Sequence, residues 1–378
     1  MISATRPRLL AATRRRVPSL ASVALRPANS SSRGFSSTPP TPRLSDRDHA
    51  IAFVGLGAMG RQMATNLFSK TFTVDSNASF VVCDALPEAA HAFARSFQEQ
   101  HPTAKIDVVR TPGEAARRAA TVITMLPSSP QVNEVYLSTD GIFPSISRLR
   151  DGSETGLQTL AIDSTTLDVV TAKEVAEKVA LAGVAMVDAP VSGGVVGATA
   201  GTLSFMVGGP KATFDQAQPF LKKMGKNIVH CGDSGTGLAV KICNNLILGI
   251  NQTAVAEAML LGTSLGLSPA LMTSVINNST GRCWPSSVNN PVPGALPGQS
   301  PPCERDFKGG FASKLMLKDL NLALNAAKTV SVPLPLGSSS IQIYEEVSQD
   351  AELAGRDFSV VFRWLENQQK EKLKKESE

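Results

Sequence analysis

Three closely spaced glycines constrain the fold of this chain more than any other feature of its sequence. Gly55, Gly57 and Gly60 follow an apolar run of strand length at 51–54 and precede a segment with apolar residues at helical spacing. GxGxxG alone is weak evidence, but between a strand and a helix it indicates a nucleotide-binding turn. Gly55 would permit the tight turn, Gly57 the approach of a pyrophosphate, and Gly60 close packing of helix against strand. Free N–H groups at the helix N-terminus would then hold the phosphates.

The next predicted strand, at 80–83, ends at an acidic residue. Asp84 follows Gly60 by 24 positions, and the polar stretch 73–79 is predicted to be a loop that accounts for this distance. In a dinucleotide fold an acid at this place accepts hydrogen bonds from the adenosine ribose hydroxyls. Its charge would repel a 2′-phosphate, and residues 85–87 contain no arginine to hold one, which favours NAD over NADP. The alternative is a capping or loop acid without a ligand.

Strand and helix patterns alternate along the following hundred residues. Strands are predicted at 106–109, 121–125, 160–163 and 185–188, and helices at 112–120, from 130 onwards and at 167–181. This alternation predicts an α/β fold with a parallel sheet and helices on both faces. The loop 125–129 would lie at the carboxyl edge of that sheet, where ligands bind.

A serine and two glycines follow the strand predicted at 185–188. Ser192 offers a hydroxyl, and Gly193 and Gly194 offer backbone N–H groups that a ligand can approach closely, which suits a carboxylate. The alternative is a flexible turn. The segment is not GxSxG, and no Ser/His/Asp triad is apparent with four histidines, which disfavours a hydrolase. The histidines and cysteines lack zinc-ligand spacing, so no metal is expected.

Residues 237–265 are predicted to form one long, largely buried helix. Lys241 lies in this apolar context, and Asn245 follows one turn later on the same face. Burial favours the neutral amine of a lysine. A neutral lysine can take a proton from an alcohol, and its ammonium form can return one to a carbonyl. The alternative is a lysine whose stem packs while its tip reaches water.

These segments, in this order, resemble the β-hydroxyacid dehydrogenase family. The resemblance extends over about 49–366, and its GRCW and NPVPG segments at 281–284 and 290–294 are more specific than the glycine loop. The other matching segments are 55–60, 125–128, 188–194, 203–209, 237–245, 309–311 and 317–320. The resemblance implies a Rossmann-type NAD-binding domain, set at 45–233, joined by the long helix to an all-helical domain at 234–378. It also implies a homodimer or homotetramer formed through the helical domain.

The resemblance further assigns roles to individual residues. Lys241 would be the catalytic acid/base, and Asn245 would orient the substrate hydroxyl. Ser192, Gly193 and Gly194 would hold the substrate carboxylate. The family usually has Asn at the position of Gln131, so this chain departs from the pattern there. The expected cofactor-binding residues are Gly55, Leu56, Gly57, Met59, Gly60, Asp84, Leu126, Pro127, Gln131, Thr166 and Lys318.

The implied reaction is NAD-dependent oxidation of a small β-hydroxy acid. We expect (S)-3-hydroxyisobutyrate, an intermediate of valine degradation, to give methylmalonate semialdehyde. One alternative is a sister enzyme acting on glyoxylate, succinic semialdehyde, 3-hydroxypropionate or serine. A second is a cofactor-binding scaffold without activity, but such a protein would be expected to lack the lysine that this chain has at 241.

The positive net charge of the chain, formally +5, comes from its first residues. Residues 1–44 contain eight arginines and no acidic residue, whereas the rest of the chain contains 29 basic and 32 acidic residues and so has a net charge of −3. Arg-rich, Ser-rich, acid-free composition predicts a mitochondrial transit peptide leading to the matrix. The alternatives are a tail without an address and a nucleic-acid-binding arm. No nucleic-acid partner is therefore expected for the body of the chain.

Two further features bound the class of protein. No uninterrupted apolar stretch reaches the roughly 18–20 residues that cross a bilayer, so no membrane partner is expected. Five scattered cysteines without a CxxC pair suit free thiols in a reducing compartment.

Overall fold

A computed structural model describes residues 47–151 and 158–378. The predicted transit peptide at 1–44 lies outside the described residues. The strands are β1 Ala50–Val54, β2 Ser79–Cys83, β3 Lys105–Val108, β4 Thr121–Thr124, β5 Thr159–Asp163, β6 Val184–Asp188, β7 Val191–Ser192, β8 Leu203–Gly208 and β9 Gly225–Gly232. The helices of this half are α1 Ala58–Val74, α2 Pro87–Gln100, α3 Pro112–Arg118, α4 Ser129–Leu137, α5 Ile142–Asp151, α6 Val169–Leu181, α7 Gly194–Ala200 and α8 Lys211–Met224.

Six strands form the predicted parallel sheet in the order β3-β2-β1-β4-β5-β6. The sheet then departs from the prediction, because β8 pairs antiparallel with β6 and β7, while β9 pairs parallel with β8. A parallel neighbour needs a crossover of about a dozen residues or more. Only residues 193–202 separate β7 from β8, so β8 returns antiparallel.

The two faces of the sheet bury separate apolar layers, as predicted for helices on both sides. Phe53 points into one layer, with an aromatic group from α1, α2 and β2 that includes Phe68, Phe80 and Phe97. Alternate strand residues such as Val54 point into the other layer, which α3–α6 cover. Since side chains alternate along a strand, a sheet covered on both faces needs strands that are apolar throughout.

One predicted loop is shorter than expected, and two further stretches, for which the sequence gives no single prediction, contain helical structure. Helix α1 continues to Val74, so the loop before β2 is shorter than the predicted 73–79. The Pro/Gly-rich stretch 284–308 contains helix α11, Trp284–Ser287, and a 3-10 turn, Pro302–Arg305. The polar C-terminus is helical to Ser377.

The second half of the chain is helical and is organised around one long helix. Its helices are α9 Thr236–Ser264, α10 Pro269–Asn277, α11, α12 Ser313–Thr329, α13 Pro335–Gln349 and α14 Val361–Ser377. Helix α9 packs against β8 and against α12, α13 and α14, and Met259 contributes to a core that contains Tyr344 and Phe362.

The length and composition of α9 would also allow it to cross a bilayer, although its sequence is interrupted by polar residues. Lys241, Asn245 and Gln252 of this helix are buried inside the protein, whereas Ile247 and Leu261 are at least 60% exposed and only 39% of its most apolar stretch is buried. The helix is therefore less buried than predicted, and its hydropathy comes from a core-facing side and from apolar side chains at the surface.

Candidate active site

The glycine loop has the geometry of a phosphate-binding turn. Gly55 has φ +94°, and a Cβ at Gly55 or Gly60 would collide with the backbone oxygen of Met125 or of Gly55, respectively. A Cβ at Gly57 would meet nothing within 4 Å. The N-terminus of α1 has no side-chain cap and no acid in its first turn, so its N–H groups and partial positive charge are available to an anion. These residues fit a dinucleotide pyrophosphate beside Gly57.

Asp84 lies at the end of β2, where its carboxylate joins two loops. Its Oδ2 accepts from the N–H of Leu56 at 2.6 Å, and its Oδ1 accepts from the N–H of Leu86 at 2.8 Å. Asp84 therefore stabilises these two loops, as expected under the alternative of a capping or loop acid. A carboxylate has about four acceptor sites, so these bonds leave room for ribose hydroxyls. Leu56 is buried and its N–H is used by Asp84, while Met59 is half-buried.

A buried carboxylate organises the two loops that follow β4 and β5. Asp163, 1% exposed, accepts through Oδ1 from Thr124 Oγ1 at 2.7 Å and from the N–H of Thr165 at 3.1 Å. Thr165 Oγ1 in turn accepts from the N–H of Leu126 at 2.9 Å. Burial raises the pKa of Asp163 to about 6, although the hydrogen bonds from Thr124 and Thr165 lower it. Asp163 therefore fixes the backbone next to the predicted cofactor residues Leu126, Pro127 and Thr166.

The predicted substrate loop begins at the two-residue strand β7. Ser192 is half-buried, and Gly193 and Gly194 are exposed, with φ +130° and +61°. A Cβ at Gly194 would meet nothing within 4 Å, so a ligand can approach its backbone. Ser192 pairs with Ser204 of β8, against which α9 packs.

A second buried carboxylate, Asp188 at the end of β6, caps the helix that carries Lys241. Its Oδ1 accepts from the N–H of Gly235 at 2.6 Å, and its Oδ2 accepts from the N–H of Leu238 at 3.0 Å. Burial raises its pKa while these backbone hydrogen bonds oppose the shift. Asp188 is the register partner of Asp163, so two carboxylates lie side by side under the carboxyl edge of the sheet.

Lys241 is buried in the second turn of α9, with 7% of its surface exposed. Burial lowers its pKa, Asp319 opposes this effect by its negative charge, and Lys318 adds to it. The stem of Lys241 is packed inside the protein, as the alternative of a lysine with its tip in water also requires, and the small exposed fraction is too little for a side chain extended into solvent. A lysine with a lowered pKa has more of the neutral amine at neutral pH, and that form accepts a proton.

Asn245 connects Lys241's helix to α12. Its Nδ2 donates to Asp319 Oδ2 at 2.6 Å, and its Oδ1 accepts from Asn244 Nδ2 at 3.0 Å. Asn245 and Asp319 are each 2% exposed. The other oxygen of Asp319, Oδ1, lies 3.3 Å from Lys318 Nζ at ion-pair distance, without hydrogen-bond alignment. The two adjacent residues of α12 therefore place opposite charges beside Lys241.

Lys318 reaches from α12 to both loops of the nucleotide-binding half. Its Nζ donates to the carbonyl of Thr166 at 2.8 Å and to that of Pro127 at 3.4 Å. Gln131 lies nearby in sequence, in the first turn of α4, where its Oε1 accepts from Ser128 Oγ at 2.6 Å. Through Lys318 and Asp319, the loops at Pro127 and Thr166 are connected to Asn245.

The structure thus brings most of the predicted site residues into one connected set. The links run from Gly55, whose added Cβ would lie 3.2 Å from Leu126 Cδ2, to Leu126, from Leu126 through Thr165 to Asp163, and from Thr166 through Lys318 and Asp319 to Asn245. Lys241 and the loop at Ser192 are not part of these links. Three residues of this arrangement, Asp163, Asp188 and Asp319, were missed as functional candidates. A carboxylate that ends a wholly apolar strand is a sequence signal for the first two, and adjacency to Lys318 is one for the third. Among the described residues, no group of three or more His, Cys, Asp and Glu side chains could hold a metal ion.

Two family models match successive parts of the chain. One, described as the NAD binding domain of 6-phosphogluconate dehydrogenase, matches residues 50–232. The other, described as NAD-binding of NADP-dependent 3-hydroxyisobutyrate dehydrogenase, matches residues 235–365. Both describe binders of a nicotinamide dinucleotide, without distinguishing NAD from NADP for this chain.

Curated relatives and solved structures match over most of the chain. The probable mitochondrial 3-hydroxyisobutyrate dehydrogenase of Dictyostelium discoideum is 42% identical over 315 residues, which are 83% of this chain and 90% of that protein. The mitochondrial 3-hydroxyisobutyrate dehydrogenase of Homo sapiens is 40% identical over 319 residues, 84% of this chain and 87% of that protein. The structure of Mycobacterium tuberculosis 3-hydroxyisobutyrate dehydrogenase with L-serine is 39% identical, with a TM-score of 0.71 over 84% of this chain and 98% of that one.

Proposed function

Because this chain belongs to the β-hydroxyacid dehydrogenase family, and within it to the 3-hydroxyisobutyrate dehydrogenases, we propose that it oxidises (S)-3-hydroxyisobutyrate to methylmalonate semialdehyde with NAD. This reaction is a step of valine degradation. The observation that supports it most is the buried pair Lys241 and Asn245 on α9, connected through α12 to the loops at Pro127 and Thr166.

Lys241 acts on the substrate hydroxyl as general base. Its neutral amine takes the O–H proton while the C–H bond of the carbinol carbon breaks, so the amine becomes an ammonium and the alcohol an aldehyde. Bound NAD supplies the acceptor for the hydrogen and electron pair that leave this carbon. In the reverse direction the ammonium of Lys241 returns the proton to the carbonyl oxygen.

The other site residues bind and orient the acid. Ser192, with the backbone of Gly193 and Gly194, holds the substrate carboxylate, because a hydroxyl and exposed N–H groups are donors suited to an anion. The amide of Asn245 orients the substrate hydroxyl towards Lys241, and its hydrogen bond to Asp319 fixes the orientation of that amide. Since one methylene discriminates weakly between substrates in a pocket, related small β-hydroxy acids are turned over more slowly rather than excluded.

NAD rather than NADP is the proposed cofactor. Asp84 places a carboxylate at the end of β2, where it would repel a 2′-phosphate. The cofactor-binding set is the one predicted from the sequence: Gly55, Leu56, Gly57, Met59, Gly60, Asp84, Leu126, Pro127, Gln131, Thr166 and Lys318.

Three further proposals concern the whole protein. The relatives are named as mitochondrial proteins, and residues 1–44 have the composition of a transit peptide, so we place the mature enzyme in the matrix. The family-model matches support the domain limits 45–233 and 234–378. A homodimer or homotetramer is supported by Ile247 and Leu261 of α9 and by Leu265 directly after it, which are at least 60% exposed and would be covered by a second copy.

A substrate panel tests this function. Steady-state kcat/KM would be measured for (S)-3-hydroxyisobutyrate, 3-hydroxypropionate and serine, and for glyoxylate and succinic semialdehyde in the reverse direction, each with NAD and NADP coenzymes. We expect (S)-3-hydroxyisobutyrate with NAD to give the highest value. A higher value for another acid would assign the chain to a sister activity, and absence of turnover with all of them would contradict the enzymatic proposal.

A further inference from the structure

We propose that Asp188 is a positioning residue that holds the catalytic helix in register with the substrate-carboxylate loop. This inference rests on the proposed function, because it gives Asp188 its effect through Lys241 and Ser192. Asp188 touches neither the substrate nor the cofactor in this scheme. Its carboxylate joins the two segments of chain that carry the groups which do.

The contacts of Asp188 connect two distant parts of the sequence. Its own strand, β6, leads within four residues to Ser192. Its oxygens accept from the N–H groups of Gly235 and Leu238, at the start of the helix that presents Lys241 three residues later. One side chain therefore fixes both the beginning of the substrate loop and the beginning of the catalytic helix.

Two glycines shape the space in which the carboxylate lies. A Cβ at Gly208 would lie 2.5 Å from Asp188 Oδ1, and one at Gly237 would lie 2.8 Å from Asp188 Oδ2. Asp188 is only 5% exposed, so its charge needs compensation inside the protein. Backbone N–H groups and the positive end of the α9 dipole provide it. A carboxylate enclosed this closely tolerates little displacement of the helix.

Displacement at this end would be transmitted directly to the base. Only one helical turn separates Leu238 from Lys241, and a helix behaves as a rigid element over that length. Asn245, one turn further on the same helix, is held independently by Asp319, so loss of the Asp188 contacts would let the first turns of α9 pivot about that contact and displace Lys241 relative to Ser192. A misplacement of about 1 Å at a reacting group can lower turnover by about 100-fold.

The substitution Asp188→Asn tests this role because it preserves volume and removes one acceptor and the charge. With the best substrate of the panel, we expect kcat to fall about 10- to 100-fold, whereas the dissociation constant for NADH, measured by fluorescence, changes less than about 2-fold. Asp188→Ser, made in parallel, keeps one hydroxyl acceptor. It should also lower kcat while leaving the dissociation constant for NADH nearly unchanged. Thr111→Ala is the matched control, because it removes the side-chain cap of α3, a helix without assigned site residues.

A double-mutant cycle distinguishes positioning from a general structural effect. If Asp188 acts through Lys241, then Asp188→Asn should change the residual kcat of a Lys241→Met variant less than about 3-fold. An equal fold-loss in both backgrounds would overturn the proposal, as would unchanged kcat in Asp188→Asn or a comparable loss of kcat in Thr111→Ala. Failure of wild-type turnover on the whole panel would instead contradict the proposed function, so the two failures are distinguishable.

Discussion

The buried carboxylate of Asp163 should make the stability of this protein depend on pH in a defined direction. Its pKa is about 6 in the folded protein, against an ordinary value of 3.8. Because the folded state binds this proton more tightly than the unfolded chain, the stability contributed by Asp163 is fully present below pH 3.8 and is lost as pH rises through 6. At about 1.4 kcal/mol per pH unit, ionising Asp163 costs about 3 kcal/mol, of which roughly half is lost between pH 5 and 7.5.

Asp163→Asn removes this ionisation while its Oδ1 can still accept from Thr124 and Thr165. The free energy of unfolding would be measured by urea titration, followed by circular dichroism, for wild type and variant between pH 5 and 7.5. We expect the difference, variant minus wild type, to increase by about 1.4 kcal/mol over this range. The exposed Glu99→Gln is the control and should give a constant difference. Parallel pH profiles for wild type and Asp163→Asn would show that burial does not raise the pKa of Asp163.

Three further predictions concern the site. Lys241→Met should lower kcat by more than about 100-fold while NADH still binds, as measured by fluorescence titration; near-normal turnover would contradict the assignment of the base. Asp319→Asn removes the charge that raises the pKa of Lys241, so the acidic limb of the pH profile of kcat/KM should move to lower pH; a shift to higher pH would contradict this effect of Asp319. Gly57→Ala should fold normally but bind NADH at least about 10-fold more weakly, whereas Gly60→Ala, whose Cβ would collide with Gly55 O, should lower the melting temperature.

The pattern of apolar runs was sufficient to predict most of the nucleotide-binding half. The strand predicted at 51–54 is found at Ala50–Val54, and the one predicted at 160–163 is found at Thr159–Asp163. Both are buried along their whole length, so continuous apolarity marked them reliably. The strands β8 and β9 were not predicted, because Ser204 interrupts the apolar run of β8 and β9 contains Lys226, Asn227 and His230.

The candidate site was predicted where chemistry depends on residue type and local spacing. Gly55, Gly57 and Gly60 are candidates because of the backbone conformation they allow, and Lys241 and Asn245 because they lie one turn apart on one helix, so neighbouring residues sufficed to propose them. The loop role of Asp84 remained open in the sequence, because its N–H donor at Leu56 lies 28 residues earlier in the chain.

The sequence by itself determined the chemical groups, the nucleotide-binding turn and the long apolar helix, because these follow from residue types at short separation. The tertiary structure decided which of them meet. Asn245 contacts Asp319 from 74 positions away, and Lys318 reaches Thr166 across 152. Burial, which lowers the pKa of Lys241 and raises that of Asp163, arises only when distant elements pack together and exclude water from these charged groups.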